Sequence, residues 1–373
     1  MTKLFFYRKK NIPKEDAGKN ERTILVLFAL SLLFFVLAKF FPSREASKIK
    51  GEMTRASEIM AEATDVIKEC CGEKGLLLDK NIDLNQTGLI GLEFSPITTS
   101  IGSLEAKRTT TNPNFAALIV SLLKEAKIES GDTIAVGASS SFPALVVAVL
   151  SAAKAMNLKA IVINSLGASQ WGANSPDFHW LDMQNCLLDA GIFDAKPIAI
   201  SLGGAGDEGE DMSPEGRSFL ANEIRESGNF FLHELDLRRN VEARMRLYEE
   251  KAGEGEIKAF INIGGSWPNM GEDPEILKLR PGLVKIRQFP PTEKRGVLFE
   301  MAARKIPVIH LLYIKGLVDR YGLPWDPVPL PQPGKGKIFQ LVGKRQASFL
   351  FLAAAYFLLV TIVMVFQNKL GKR

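Results

Sequence analysis

Long, charge-poor apolar segments lie near both ends of the chain. The first spans 23–41 and contains one charged residue, Lys39, and the second spans 347–366 and contains none. About 20 apolar helical residues are needed to cross the hydrocarbon core of a bilayer. The pattern therefore predicts two transmembrane helices, with both chain ends on one side of the membrane and the intervening residues on the other.

Between these segments, short apolar runs alternate with helical patterns. The runs that predict buried strands fall at 133–136, 160–164, 197–201, 259–263 and 307–312. Such runs carry few polar residues, as is typical of a parallel sheet that helices cover on both faces. The sequence therefore predicts an α/β fold with a doubly wound, mostly parallel sheet and Rossmann-like βαβ units.

The same pattern divides the chain into seven segments. They are a basic tail (1–22), a transmembrane helix (23–41), an amphipathic juxtamembrane helix (42–72), the α/β domain (73–323), a Pro/Gly/Lys linker (324–346), a second transmembrane helix (347–366) and a second basic tail (367–373). The α/β domain contains every predicted strand and is large enough to bury a sizeable core.

The juxtamembrane helix carries apolar residues at alternating spacings of four and three, which is a heptad seam. The seam consists of Ile49, Met53, Ala56, Met60, Ala63, Ile67 and Cys70. One interpretation is a stalk that forms a homo-oligomer through residues 44–71. The other is an amphipathic helix that lies on its own domain, which the two small alanines slightly favour.

Basic residues near the apolar segments bear on the orientation of the chain. The two tails carry ten lysines and arginines, and the flanks on the domain side carry eight. Because basic flanks mark the cytoplasmic side, we expect a cell (inner) membrane protein with both termini cytoplasmic and the main domain extracytoplasmic. The formal net charge of +5 is modest, and we expect no nucleic-acid partner.

Cysteines and histidines are few and scattered. Three cysteines, Cys70, Cys71 and Cys186, do not form a disulfide framework and are interpreted as small buried apolar residues. The three histidines are far apart in sequence, so no zinc site or other metal centre is predicted.

Small and polar residues follow several of the predicted strands, where ligands bind in open α/β sheets. The candidate ligand-binding residues in these loops are Ser139, Ser140, Ser141, Ser169, Gln170, Trp171, Asn174, Gly203, Gly204, Gly264, Gly265 and Ser266. The Gly137–Ser141 turn could hold an anion at a helix N-terminus, or its small residues could simply let the helix pack on the strand while serine caps the helix. Trp171 could stack on a ligand or belong to the rim of the core.

An acidic loop follows Gly204, and it has several possible roles. It contains Asp207, Glu208, Glu210 and Asp211. Clustered carboxylates can bind a hard cation, supply an acid or base, or form a solvated loop beside a helix start. The spacing fits no EF-hand, so the role of these residues stays open.

The sequence assigns no catalytic residue and no cofactor. His179 and Asp182 could form a polar pair, but no G-x-S-x-G elbow accompanies them. Whether the protein is an enzyme stays open on these grounds.

Three stretches resemble a bacterial poly-γ-glutamate system protein family: GLEFSPITT at 91–99, the turn at 137–143, and GASQWGAN at 167–174. The resemblance covers most of the chain from the first apolar segment onward, and 167–174 is its most specific part. It implies an accessory protein of capsule biosynthesis that accompanies the poly-γ-glutamate synthase subunits, and it carries over no catalytic residues. The turn at 137–141 also weakly resembles sugar-phosphate isomerase-type domains. That resemblance implies instead a membrane-tethered enzyme acting on a phosphorylated or carboxylated small molecule.

Overall fold

The computed structural model describes residues 24–36, 44–341 and 347–370. The chain divides into two compact units, one formed by Met1–Ser47 with Gly343–Arg373 and the other by Lys48–Val342. The predicted basic tail at 1–22 and part of the predicted linker, 342–346, lie outside the described residues.

The first unit contains helix α1 (24–36) and helix α13 (Ala347–Leu370). They contact each other through Tyr356, whose hydroxyl lies 2.7 Å from that of Ser31 and whose ring centroid lies 5.5 Å from that of Phe34. Among the described residues, no helix combines the length and apolar character needed to cross a membrane. The predicted segment at 23–41 extends beyond the described residues at both ends, whereas the predicted segment at 347–366 lies within α13. The finding supports neither segment as a transmembrane helix, and both stay predictions.

The second unit is an α/β domain. Its helices are α2 (Arg44–Glu73, which begins in the first unit), α3 (Leu104–Thr110), α4 (Asn114–Glu125), α5 (Pro143–Met156), α6 (Trp180–Asp189), α7 (Pro214–Glu226), α8 (Leu237–Ala252), α9 (Trp267–Met270), α10 (Val297–Ala303), α11 (Ile314–Tyr321) and α12 (Ile338–Leu341). Its strands are β1 (Thr133–Ser139), β2 (Lys159–Ser165), β3 (Asn174–Ser175), β4 (Phe178–His179), β5 (Ala199–Ser201), β6 (Ile257–Ile263), β7 (Gly282–Leu283) and β8 (Val308–Leu311).

Six of the described strands form one sheet in the order β5-β2-β1-β6-β8-β7. Neighbouring strands pair in parallel except β7, which pairs antiparallel with β8 at the edge. The predicted α/β class and mostly parallel sheet are confirmed, and the five apolar runs correspond to β1, β2, β5, β6 and β8. The chain proceeds outward from β1 to β2 and β5, then returns to the other side of β1 as β6. The topological switch point therefore lies between β1 and β6.

The sheet is buried on both faces, which explains its apolar strands. Along β1, Ile134 and Val136 belong to one hydrophobic cluster, and Ala135 belongs to a second. The first cluster includes residues of α2, α4 and α5, and the second includes residues of α8 and α10. Because successive side chains of a strand point to opposite faces, these two clusters are the two layers that cover the sheet.

Helix α2 packs on its own domain along the predicted heptad seam. Met53, Ala56, Met60, Ala63 and Ile67 are all fully buried in the first hydrophobic cluster. The structure therefore favours the amphipathic interpretation over the stalk. It leaves no exposed apolar seam for the homo-oligomer predicted through residues 44–71.

A disulfide bond joins Cys70 at the end of α2 to Cys186 on α6, across a Cα–Cα distance of 6.3 Å. The interpretation of these two cysteines as small buried apolar residues is therefore wrong, and it holds only for Cys71, a buried free thiol. The two bonded residues are 116 positions apart, so only the tertiary fold brings them together.

Candidate functional site

A cavity of about 730 Å³ opens at the carboxyl edge of the parallel sheet. The loops that follow five strands line it. Each loop contributes at least one residue: Ser141 after β1, Gly167 after β2, Gly204 after β5, Ser266 after β6 and Tyr313 after β8. The segment 99–107, which ends on α3, closes one side. The cavity thus lies at the switch point of the sheet, which is where open α/β folds bind their ligands.

Serine hydroxyls form the floor of the cavity. Ser139 ends β1 and Ser165 ends β2, and the two residues are register partners. The Ser165 hydroxyl lies 3.3 Å from that of Ser266, which follows β6, and 3.1 Å from that of Ser201 at the end of β5. Hydroxyls can both donate and accept hydrogen bonds, so this floor can bind carboxylate, phosphate or carbonyl oxygens.

Lys107 of α3 enters the cavity wall from the side. Its side chain is 2 % exposed, and its ammonium nitrogen donates to the carbonyl oxygen of Ser141 and lies 2.7 Å from the hydroxyl of Ser169. The same nitrogen lies 3.9 Å from the ring centroid of Phe142. Lys107 forms no ion pair with any residue that the structure describes, and burial lowers its pKa to about 7. An amine in such a position changes its charge near neutral pH.

The position of Lys107 depends on a close approach between the backbone at Gly102 and the loop after β2. A Cβ on Gly102 would lie 2.5 Å from the carbonyl oxygen of Gln170 and 3.3 Å from Cε of Lys107. Ser103 begins α3 by accepting a hydrogen bond from the backbone N–H of Ala106. Glycine at 102 and the cap at 103 therefore bring α3 close enough to the loop after β2 for Lys107 to reach Ser169.

Aromatic side chains surround the mouth of the cavity. Trp267, Tyr313 and Trp325 contribute to its lining, together with the highly exposed Ile101. Tyr313 has a positive φ of 64°, a conformation that non-glycine residues seldom adopt, and its side chain is 66 % exposed. The site thus combines a hydroxyl-rich floor with an apolar and aromatic entrance.

A buried ion pair lies behind the serine floor. The carboxylate of Asp207 accepts hydrogen bonds from Ser201 at 2.8 Å, from Arg244 at 2.7 Å and from Asn240 at 3.1 Å. Arg244 also donates to the hydroxyl of Ser201 at 2.8 Å. Asp207 therefore supports the floor from within the protein, and a role in a solvated acidic loop is excluded for it.

The other acidic-loop residues do not gather around one point. Glu208 lies 2.9 Å from a ring nitrogen of His233, and burial is the main cause that raises the pKa of Glu208. Asp211 contributes to the cavity lining near Gly204, while Glu210 is exposed. Within the described part of the chain, no group of three or more His, Cys, Asp or Glu residues could hold a metal ion.

The structure brings together seven of the twelve candidate ligand-binding residues at the cavity: Ser139, Ser141, Ser169, Gly203, Gly204, Gly265 and Ser266. The remaining five lie outside its lining: Ser140, Gln170, Trp171, Asn174 and Gly264. Lys107 was not among the candidates. A lysine in a Ser/Thr-rich segment carries no sequence signal of burial.

Residues outside the lining hold the surrounding loops in place. The Asn174 amide accepts from the backbone N–H of Leu92 at 2.8 Å and donates to the Leu92 carbonyl at 2.9 Å. The Gln170 side chain accepts from the N–H of Gly102 at 3.0 Å, and Ser140 accepts from Asn164 at 2.9 Å. The contacts of Asn174 and Gln170 attach the segment 91–102 to the chain that follows β2, and the contact of Ser140 joins the end of β1 to β2.

His179 and Asp182 form a polar pair, as the sequence suggested, but away from the cavity. Nδ1 of His179 lies 3.3 Å from the Asp182 carboxylate, which also accepts the backbone N–H of His179 at 3.0 Å. The pair therefore caps the start of α6 and does not reach the serines of the floor.

A larger groove of about 1060 Å³ lies at the opposite edge of the sheet, where β2 begins. Its walls include lysine and aliphatic side chains, among them Lys159, Lys196 and Ile198. It has neither the serine floor nor the position beyond strand carboxyl ends, so the smaller cavity is the better candidate site.

Comparisons of the chain with protein-family models, with curated proteins and with solved structures returned no match.

Proposed function

We propose that this protein is a membrane-anchored accessory component of bacterial poly-γ-glutamate biosynthesis and export, and that its carboxyl-edge cavity binds a carboxylate-bearing ligand. The observation that carries the proposal is the cavity itself, in which serine hydroxyls from three strand ends lie at the switch point of the sheet. Each repeating unit of poly-γ-glutamate offers one carboxylate and one amide. Hydroxyl groups suit both, because they donate to the first and to the carbonyl of the second and accept from the amide N–H.

The charge around the cavity is compatible with this ligand. Lys315 lies at the mouth and contributes its charge to the lining, and Lys107 in the wall can donate a hydrogen bond to a carboxylate in either of its protonation states. Asp211 is an acidic residue of the lining near Gly204, and burial raises its pKa. The resemblance of 91–99, 137–143 and 167–174 to the poly-γ-glutamate system family supports the choice of ligand.

The disulfide between Cys70 and Cys186 supports an extracytoplasmic position for the α/β domain. Structural disulfides persist in oxidising compartments and are rare in the cytosol. The charge-poor segments at 23–41 and 347–366 supply the proposed membrane anchors, and poly-γ-glutamate synthase subunits are the proposed partners.

Calorimetry with the full chain in detergent tests the ligand. We expect a γ-linked glutamate heptamer to bind, and the double variant Ser139→Ala/Ser266→Ala to weaken its affinity at least tenfold. Ser218→Ala is the matched control, because Ser218 is exposed on α7 and its hydroxyl donates to the Pro214 carbonyl of the same helix at 2.9 Å. Binding of glucose 6-phosphate but not of the heptamer would overturn the proposal and favour the sugar-phosphate enzyme.

Thiol labelling of intact cells tests the orientation. A reporter cysteine in place of the exposed Glu210 should react with a membrane-impermeant maleimide, and one in the tail at 1–22 should not. Labelling of the tail alone would place the domain in the cytoplasm and contradict the proposed role at the outer surface.

A further inference from the structure

A serine and a lysine face each other in the wall of the cavity. The Ser169 hydroxyl lies 2.7 Å from Nζ of Lys107, within hydrogen-bonding distance, and both residues line the cavity. Ser169 retains 7 % exposure, so its oxygen borders the space that a ligand would occupy. A nucleophile in contact with a base is the arrangement that serine–lysine enzymes use.

We propose that Ser169 is a catalytic nucleophile and Lys107 its general base, so that the cavity is an acyl-transfer site for an amide or ester. The choice of a γ-glutamyl amide as the substrate rests on the proposed function. The assignment of the two residues rests on their geometry alone.

The burial of Lys107 and the groups around its nitrogen are those expected of a general base. A buried ammonium group without a carboxylate partner is unfavourable, because burial disfavours the charged form. Glu105 and Arg108, the charged residues nearest in sequence on α3, point elsewhere: Glu105 bonds with Ser103, and Arg108 pairs with Asp326 at 2.5 Å. The elements packed against Lys107 present Phe142, the Ser141 carbonyl and the Ser169 hydroxyl to its nitrogen. Burial lowers the pKa of Lys107 to about 7, so a large fraction of the amine is neutral at physiological pH.

The chemistry balances with water as the only co-reactant. The Ser169 oxygen attacks the carbonyl carbon while neutral Lys107 takes the hydroxyl proton. Lys107 then gives that proton to the leaving nitrogen or oxygen as the C–N or C–O bond breaks, which leaves an ester on Ser169. Water attacks this ester, again losing a proton to Lys107, and that proton returns to Ser169 when the carboxylic acid departs.

Ser141 is placed to assist the negatively charged oxygen that forms in each addition step. Its hydroxyl oxygen accepts the backbone N–H of Ser169 at 2.9 Å, which leaves its own proton available to a carbonyl oxygen held beside Ser169. A preorganised donor at this place stabilises the charge that develops in the transition state.

A fluorophosphonate probe tests the proposal on the full chain without knowledge of the substrate. We expect mass spectrometry to find the adduct on Ser169, with a labelling rate that rises with pH through about 7 as Lys107 loses its proton. Lys107→Met should slow labelling by about 100-fold or more, in line with the usual contribution of a general base. Ser218→Ala and Lys196→Met are the controls, because both replace exposed residues away from the cavity, and neither should change the rate.

Lys107→Arg separates catalysis from a merely structural role. Arginine keeps the charge and the donors that could hold Ser141 and Ser169 together, but it does not deprotonate at neutral pH. Labelling of Lys107→Arg at the wild-type rate would therefore overturn the proposal. So would the absence of an adduct on Ser169 between pH 6 and pH 9 in the wild-type protein, a result that needs no variant to fold.

The outcomes also distinguish this inference from the proposed function. If Ser169 is labelled but the γ-linked heptamer does not bind, the catalytic roles of Ser169 and Lys107 stand and the proposed ligand is wrong. If the heptamer binds but Ser169 is not labelled, the proposed binding function stands and the catalytic roles of Ser169 and Lys107 are wrong.

Discussion

The guanidinium group of Arg244 lies 2.7 Å from the carboxylate of Asp207, and both side chains are almost completely buried. Ser201 bonds to both of them and lies 3.1 Å from Ser165, which in turn lies 3.3 Å from Ser266. A continuous set of polar contacts thus connects the buried ion pair between Arg244 of α8 and Asp207 of the loop after β5 with the floor of the cavity. The floor depends on a charge pair that solvent does not reach.

Replacing Arg244 with methionine should lower the free energy of unfolding by about 3–5 kcal/mol, because Asp207 would stay buried without its partner. Urea denaturation followed by circular dichroism measures the change. The control is Arg239→Met, which removes exposed pairs with Glu234 and Asp236 and should cost about 1 kcal/mol or less. If both variants lost the same free energy of unfolding, the prediction would be wrong, because the buried pair would then contribute no more to stability than the exposed pairs.

The sequence predicts the sheet better than it predicts the site. Strands such as β1 and β6 are recognisable because burial on both faces demands continuous apolar runs. The edge strand β7 has only two residues, Gly282 and Leu283, and so leaves no pattern to detect. The serines of the floor are recognisable because they directly follow the apolar runs.

The missed features all depend on contacts between distant parts of the chain. Lys107 meets Ser141 and Ser169 only after α3 packs beside the loop that follows β2. Cys70 finds Cys186 only when α2 has covered the domain. No local periodicity encodes these pairings, so Lys107 is absent from the candidates predicted from the sequence, and the cysteines are interpreted there as unpaired.

Removing the disulfide should destabilise the domain. Cys70→Ala is expected to lower the free energy of unfolding by about 2–4 kcal/mol, because the bond closes a long loop and restricts the unfolded chain. The melting temperature, measured with and without dithiothreitol, checks this prediction. The reductant should lower the value for the wild type and leave that of Cys70→Ala unchanged, and a wild type indifferent to dithiothreitol would contradict it.

Two helical glycines should respond to alanine with opposite signs. Gly51 lies in α2 with open space around its Cα, so Gly51→Ala should raise stability by about 0.5–1 kcal/mol. Gly216 lies in the first turn of α7, where a Cβ would overlap the carbonyl oxygen of Pro96. Gly216→Ala should therefore lower stability by about 1–3 kcal/mol, as overpacking does. Chemical denaturation of both variants measures the two changes in the free energy of unfolding. A Gly216→Ala variant that is more stable than the wild type would contradict the prediction, because it would show that the segment containing Pro96 moves aside for the added Cβ.

His310 should make the domain less stable in mild acid. Burial lowers its pKa to about 4, and Nδ2 of Asn262 lies 2.9 Å from its Nδ1, so an amide N–H there requires the neutral ring to accept. Because histidine in the unfolded chain has a pKa near 6.5, lowering the pH from about 6.5 to about 4 protonates the unfolded state first. The folded state should therefore lose stability over this interval, by on the order of 3 kcal/mol.

The measurement is urea denaturation at a series of pH values for the wild type and His310→Asn. His310→Asn should show a weaker dependence on pH between 4 and 6.5, because its side chain cannot take up a proton. If His310→Asn and the wild type lose stability in parallel, the acid sensitivity belongs to other groups, and the buried ring contributes none of it.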